Sequence, residues 1–282
     1  MKLLVILTIL LSTSVQSKTL VISDVDDTLK RTNVLGYMLG GLRSTNPFIG
    51  LPALFNNFLC DAETTLEAKK FCIKFRGLNH SKERSLVYVT AATGRLQLFG
   101  REFISRSNFP QVPFIGKEIG QDTLEYKVDT LKEIISGGEY DEIILIGDNG
   151  EHDVAAYKAV TDAFPKRKIS TFIHLVYNPY HKDDEKAGVA LAKGQIPYFT
   201  ASDLSVEFFA RKLISESQLN SISREVFKYI SSNDSYDYEQ VMPDWSSCRP
   251  FISNYKRPEV KLSENTKYVL EAVERQLIRV CR

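Results

Sequence analysis

The sequence predicts an α/β fold, a doubly wound Rossmann-like parallel sheet, and two observations lead there. Five apolar runs of strand length, rich in β-branched residues, punctuate residues 19–177. Runs of that kind suit strands buried on both faces, as in a parallel sheet covered by helices. Between them lie segments with apolar residues at helical spacing, which can serve as the crossovers that join parallel strands. The 282 residues, 43% hydrophobic and 25% charged, are enough to bury one large core and exclude a disordered or fibrous chain. With 36 basic and 35 acidic residues the net charge is +1, so no summed field would draw the protein to nucleic acid or an anionic membrane.

The N-terminus reads as a signal peptide over residues 1–17: Lys2 supplies positive charge, residues 3–11 form a short apolar run, and Val15, Gln16 and Ser17 supply a cleavage site before Lys18. The run falls short of the ~20 apolar residues that a spanning helix needs, so no transmembrane anchor is expected after cleavage. The expected location is therefore secreted or periplasmic. Four cysteines, Cys60, Cys72, Cys248 and Cys281, would then meet an oxidising compartment. Three pairings are open, of which Cys60–Cys72 with Cys248–Cys281 closes the shortest loops; four buried thiols are the alternative.

The expected strands are residues 19–23, 86–90, 112–116, 143–147 and 171–176, with helices at 96–106, 123–135 and 151–163. Residues 18–200 form the expected core domain, in which residues 30–82 sit where a small cap or flap would be inserted. After Pro179 a charged stretch at 182–186 precedes helical patterns at 203–214, 216–230 and 264–280. Residues 231–258, rich in Ser, Asn, Asp, Tyr and Pro, read as loop. Residues 201–282 are expected to pack on the sheet as a helical extension.

In such folds the ligand sits beyond the carboxyl ends of the strands. The first strand runs there into Asp24-Val25-Asp26-Asp27-Thr28, and the fourth into Asp148-Asn149-Gly150-Glu151-His152-Asp153. Crowded like charges at a buried strand end are costly unless neutralised, and a hard divalent cation with oxygen ligands does this. Side chains alternate along a strand, so Asp24 and Asp26 share a side, one placed to attack as nucleophile and the other to handle a proton. Mg²⁺ would be held by Asp24, the Asp26 backbone carbonyl and Asp148, with Asp153 orienting Asp148 or its waters. The second strand ends in Thr90-Ala91-Ala92-Thr93-Gly94, where a hydroxyl and free backbone amides would cradle phosphate oxygens; Thr90 and the amide of Ala91 are preferred, with Thr93 second. Arg95 reads as a solvated helix arginine, with a phosphate ligand as the alternative. Lys127 is the expected cation beside the nucleophile, with Lys117 and Lys132 as alternatives.

Asp24-x-Asp26-x-Thr28, Thr90, Lys127 and the Asp148/Asp153 pair follow the order of the four motifs of the haloacid dehalogenase superfamily. Within it, residues 24–30, 48–55 and 144–153 resemble the phosphatidate phosphatase catalytic-domain family, over roughly residues 19–200. That resemblance implies Asp24 as nucleophile, Asp26 as general acid/base, Thr90 and Lys127 as phosphate binders, and Asp24, Asp26 and Asp148 around Mg²⁺. It further implies hydrolysis of a phosphomonoester, phosphatidate or another phospholipid among the expected substrates. The family's second motif tends to read Ser-x-Ser-Pro, and this chain departs from it at residues 90–94. A secreted acid phosphatase acting on soluble phosphomonoesters and a non-catalytic binding protein on the same fold are the alternatives.

Overall fold

A computed structural model describes residues 17–36, 46–60 and 83–281. The apolar run of the expected signal peptide, Cys72 and residues 37–45 and 61–82 of the expected insert lie outside the described residues. Six parallel strands form one sheet: β1 (Thr19–Ser23), β2 (Arg84–Thr93), β3 (Phe114–Lys117), β4 (Glu142–Asp148), β5 (Ile169–His174) and β6 (Ile196–Tyr198). Their order is β3-β2-β1-β4-β5-β6. The direction of winding reverses between β1 and β4, which creates a crevice at their carboxyl ends.

Alternation along the central strands divides the core between the two faces. Leu20, Ile22, Ile143 and Leu145 point to one side, where α3 (Thr123–Ser136) contributes Leu131 and Ile135 and α4 (Asp153–Ala163) contributes Ala156 and Val160. Val21, Ile144 and Ile146 point to the other, where α1 (Leu51–Cys60) brings Leu54, Phe55 and Phe58 and α2 (Arg95–Arg106) brings Phe103 and Ile104. Both sides of β1 and β4 are therefore dry, as their near-continuous apolar sequences require. Within residues 30–82, then, residues 51–60 are a helix packed into the core beneath the sheet.

The same face carries the C-terminal helices α5 (Ala201–Ala210), α6 (Glu216–Ile230), α7 (Ser235–Glu239), α8 (Arg249–Asn254) and α9 (Glu264–Val280). Capping boxes at Thr200/Asp203 and Ser215/Gln218 start α5 and α6, and Ser263 caps α9. Residues 231–258, expected as loop, contain α7 and α8; helices of five and six residues are too short to show a hydrophobic period. The short edge strand β6 was not expected either, because Ile-Pro-Tyr carries no periodic signal; an edge tolerates Pro197. Cys248 and Cys281 form a disulfide, and Cys60 is disulfide-bonded as well. Among the described residues no helix is long and apolar enough to cross a membrane.

Candidate active site

β1 ends at Ser23, and the chain then turns back on itself through residues 24–30. Asp27 carries the reversal at φ 54°, a left-handed conformation that Asp tolerates better than most residues. Its carboxylate accepts the backbone N–H groups of Thr32 (2.8 Å), Asn33 (2.6 Å) and Val34 (2.7 Å) and the Tyr177 hydroxyl (2.5 Å). Burial pushes its pKa up to about 6. The three acids that the sequence crowds together at this strand end thus divide: Asp27 anchors the following loop, and only Asp24 and Asp26 line the cleft.

Asp24 is held by its own backbone, whose N–H donates to the Ile146 carbonyl at 2.8 Å, and so lies against β4. Lys127, on the first turns of α3, donates to Asp24 Oδ1 at 3.0 Å and also pairs with Asp153. The Thr28 hydroxyl lies 3.4 Å from Asp24 Oδ2 and 3.3 Å from Asp148 Oδ2, bridging the two strand ends. Asp148 Oδ1 accepts the Gly150 N–H at 2.6 Å, and the Asp148 N–H donates to Asp153 Oδ2 at 3.2 Å. Gly147 is needed for this closeness, since a Cβ there would collide with the Asp153 side chain.

Asp24, Lys127, Asp148 and Asp153 are all buried. One oxygen from each of the three carboxylates lies within 4.8 Å of the others. Burial raises the pKa of Asp24 and of Asp148 well above the usual carboxylate range, and the neighbouring Asp153 charge raises both further. Burial works against the Lys127 ammonium, yet the Asp153 and Asp24 charges hold its pKa well above the ordinary lysine value.

Of the residues expected around a metal ion, Asp24 and Asp148 supply carboxylates to this cluster, but the Asp26 side chain does not. Its Oδ1 accepts Lys30 Nζ at 2.8 Å and the Thr32 hydroxyl at 2.9 Å. Asp153, expected only to orient Asp148, provides the third carboxylate. Thr90, Ala91 and Thr93 line the same cleft of about 250 Å³, and the Thr90 hydroxyl oxygen accepts the Ala92 N–H at 3.1 Å. The segment is not the plain loop expected: β2 continues to Thr93, with a register shift against β3 between Thr90 and Thr93. Among the described residues, Lys127 is the lysine that reaches Asp24. Lys117 lines the cleft with its Nζ donating to Thr123 Oγ1 at 2.5 Å, Lys132 lies half-buried on α3, and Arg95 is exposed.

Sequence reasoning missed Lys30, Thr32 and Tyr177. Asp26 and Lys30 are four residues apart but meet across a turn, where the i,i+4 ion-pair rule of helices gives no signal. Tyr177 reaches Asp27 from 150 positions away, and nothing local announces it.

The family model for the catalytic domain of phosphatidate phosphatase APP1 matches residues 19–175. A curated relative, phosphatidate phosphatase APP1 of Saccharomyces cerevisiae, is 24% identical over 165 residues, covering 56% of this chain and 26% of the yeast protein. The chain thus corresponds to about a quarter of that relative's length. The family match takes in β1 through β5 and with them every carboxylate of the cluster and Lys127, and on that match the chain belongs to the phosphatidate phosphatase APP1 catalytic-domain family.

Proposed function

We propose that the protein is a magnesium-dependent phosphomonoester hydrolase working through an aspartyl-phosphate on Asp24. The observation that carries this reading is the charge of the buried cluster. Three carboxylates face one ammonium at the crevice between β1 and β4. With all four groups ionised, two negative charges are left over, the charge of one divalent cation. Oxygen donors alone, closely spaced and rigidly held, suit Mg²⁺. Asp24, Asp148 and the Asp26 backbone carbonyl would hold it, with Asp153 as a further carboxylate. When bound, Mg²⁺ would supply a counter-charge to the phosphoryl oxygens.

In this reading Asp24 attacks phosphorus in line, and Asp26 protonates the departing alkoxide. Asp26 then deprotonates the water that hydrolyses the aspartyl-phosphate, which frees Asp24 and releases phosphate. Lys127 stands at hydrogen-bond distance from Asp24, where it would offset charge developing on the phosphoryl group. Thr90 and Ala91 line the cleft that Asp24 and Asp26 border, where the Thr90 hydroxyl and the Ala91 amide would receive the remaining phosphoryl oxygens.

Family membership supports phosphatidate, or another phospholipid carrying a phosphomonoester, as substrate. Secretion or export to a periplasm is part of the same proposal, and the Cys248–Cys281 disulfide supports an oxidising destination. The test is phosphate release with and without Mg²⁺ from a panel of phosphatidate, nucleotides, sugar phosphates and phosphoprotein. Phosphatidate is expected to be the best substrate, with Asp24→Asn reducing release to background. A preference for soluble esters would favour a broad-specificity phosphatase. Full activity in Asp24→Asn would discard the covalent mechanism.

A further inference from the structure

The Asp26 carboxylate is held in an unusual way for a group that must hand over a proton. Both of its donors, Lys30 Nζ at 2.8 Å and Thr32 Oγ1 at 2.9 Å, converge on the same oxygen, Oδ1. Oδ2 accepts no hydrogen bond from the described residues, and Asp26 borders the catalytic cleft. We propose that Lys30 and Thr32 form a clamp that fixes which oxygen of Asp26 meets the substrate, making them positioning residues for the transfer to the leaving oxygen. The proposal rests on the assignment of Asp26 above.

The chain invests heavily in placing Lys30. Its side chain is only 2% exposed, so the ammonium sits away from water, with Nζ over the Phe103 ring at 6.0 Å from its centroid. A buried ammonium is costly unless it is paired, and Asp26, the acid that would work as acid and base, is one of its partners. Lys30 is placed by the backbone as well. Its N–H donates to the Val25 carbonyl at 3.0 Å, and its carbonyl accepts the Asp27 N–H at 2.8 Å. Thr32 is fixed through Asp27, whose carboxylate accepts the Thr32 N–H at 2.8 Å. The left-handed turn at Asp27 therefore delivers both donors to a single carboxyl oxygen.

Two donors on Oδ1 leave a proton of the acid form to reside on Oδ2, because Oδ1 has its lone pairs engaged. The carboxyl can then neither rotate to swap its oxygens nor turn its proton into the loop. General acid catalysis depends on that orientation, with a reach of about 3 Å between the heavy atoms. Poor leaving groups depend on it most, since an activated phenolate departs without a proton.

The discriminating measurement is kcat/KM for dioctanoyl phosphatidate, which releases an alkoxide, against p-nitrophenyl phosphate, which releases a stabilised phenolate. It is made on wild type, Lys30→Met, Lys30→Arg, Thr32→Val and Thr32→Ser. The clamp requires Lys30→Met to lose about 10- to 100-fold on phosphatidate and no more than a few-fold on the aryl ester. Thr32→Val would show a smaller loss with the same selectivity, and Thr32→Ser would recover it. Equal losses on both esters would overturn the inference, since a merely structural role lowers both together. Should Lys30→Met fail to fold by circular dichroism, the Thr32 pair decides the matter by the same ratio. Asp24→Asn in the same assay reads the parent mechanism separately: activity retained there discards that mechanism, whereas activity lost there with no selectivity at Lys30 and Thr32 discards the clamp alone.

Discussion

At the scale of single residues, the cluster around Lys127 is a balance of buried charges, and removing one partner should show what the others had been sharing. Lys127→Met leaves Asp24, Asp148 and Asp153 without their ammonium. Breaking a buried pair from one side costs about 3–5 kcal/mol, so a clear fall in the urea midpoint is expected, together with loss of turnover. Added Mg²⁺ should restore much of the stability by binding the folded state and none of the activity; a variant as stable as wild type without metal would contradict the pairing. A second residue, Asp203 on α5, carries a pH signature. Burial raises the pKa of Asp203 from 3.8 to about 6 at the start of α5. The folded state thus holds the proton more tightly than the unfolded chain between pH 3.8 and about 6, and stability falls as pH rises through that window. Relative to wild type, Asp203→Asn should be more favourable at pH 7.5 than at pH 4 by about 2–3 kcal/mol. Urea melts at the two pH values measure this, and a difference independent of pH would refute it.

At the scale of elements, the turn from β4 into α4 does the most to build the site. Asp148 ends the strand and Asp153 opens the helix, where an acid is favoured by the helix dipole. Only Gly147 lets the two segments close on each other. Gly147→Ala should therefore push Asp153 off Lys127 and lower kcat by at least about 10-fold, as small displacements of positioned groups do, with a modest loss of stability; unchanged kinetics would show that Asp153 has room to move. The elements themselves were largely legible. The helix expected at 123–135 is α3, within one residue, and the strand at 143–147 is the centre of β4, because both carry strong periodic or continuous apolar patterns. Less legible was the end of β2, where Thr90 to Gly94 looks like a small-residue loop yet Thr90 and Thr93 stay paired with β3 across a register shift. Small residues read as turn when no neighbouring strand can be seen, and sequence does not show the neighbour.

Over the whole molecule, the C-terminal helices complete one face of the sheet, and the disulfide ties the end of α9 to the start of α8. The bridged residues are 33 positions apart, a loop whose closure restricts the unfolded chain enough to contribute about 3–4 kcal/mol. The Cys248→Ala, Cys281→Ala double variant should lose about that much, measured by denaturant unfolding under conditions where phosphatase activity is retained. A loss of both stability and activity in the folded variant would mean that these helices also shape the catalytic cleft.

The chain by itself determined the α/β class, the strands that lead to the site and the identity of the acids at two strand ends. Those follow from local pattern: buried parallel strands must be apolar throughout, so the acids that interrupt them at Asp24 and Asp148 stand out. Tertiary structure alone decided how those acids are shared. It set Asp24 and Asp148 side by side by pairing β1 with β4, brought Lys127 and Asp153 in from the helices of one face, sent Asp27 to Tyr177 and gave Asp26 to Lys30 and Thr32. The physical reason is that a carboxylate's role depends on which donors and charges surround it once water is excluded, and those neighbours come from elements far apart in the chain.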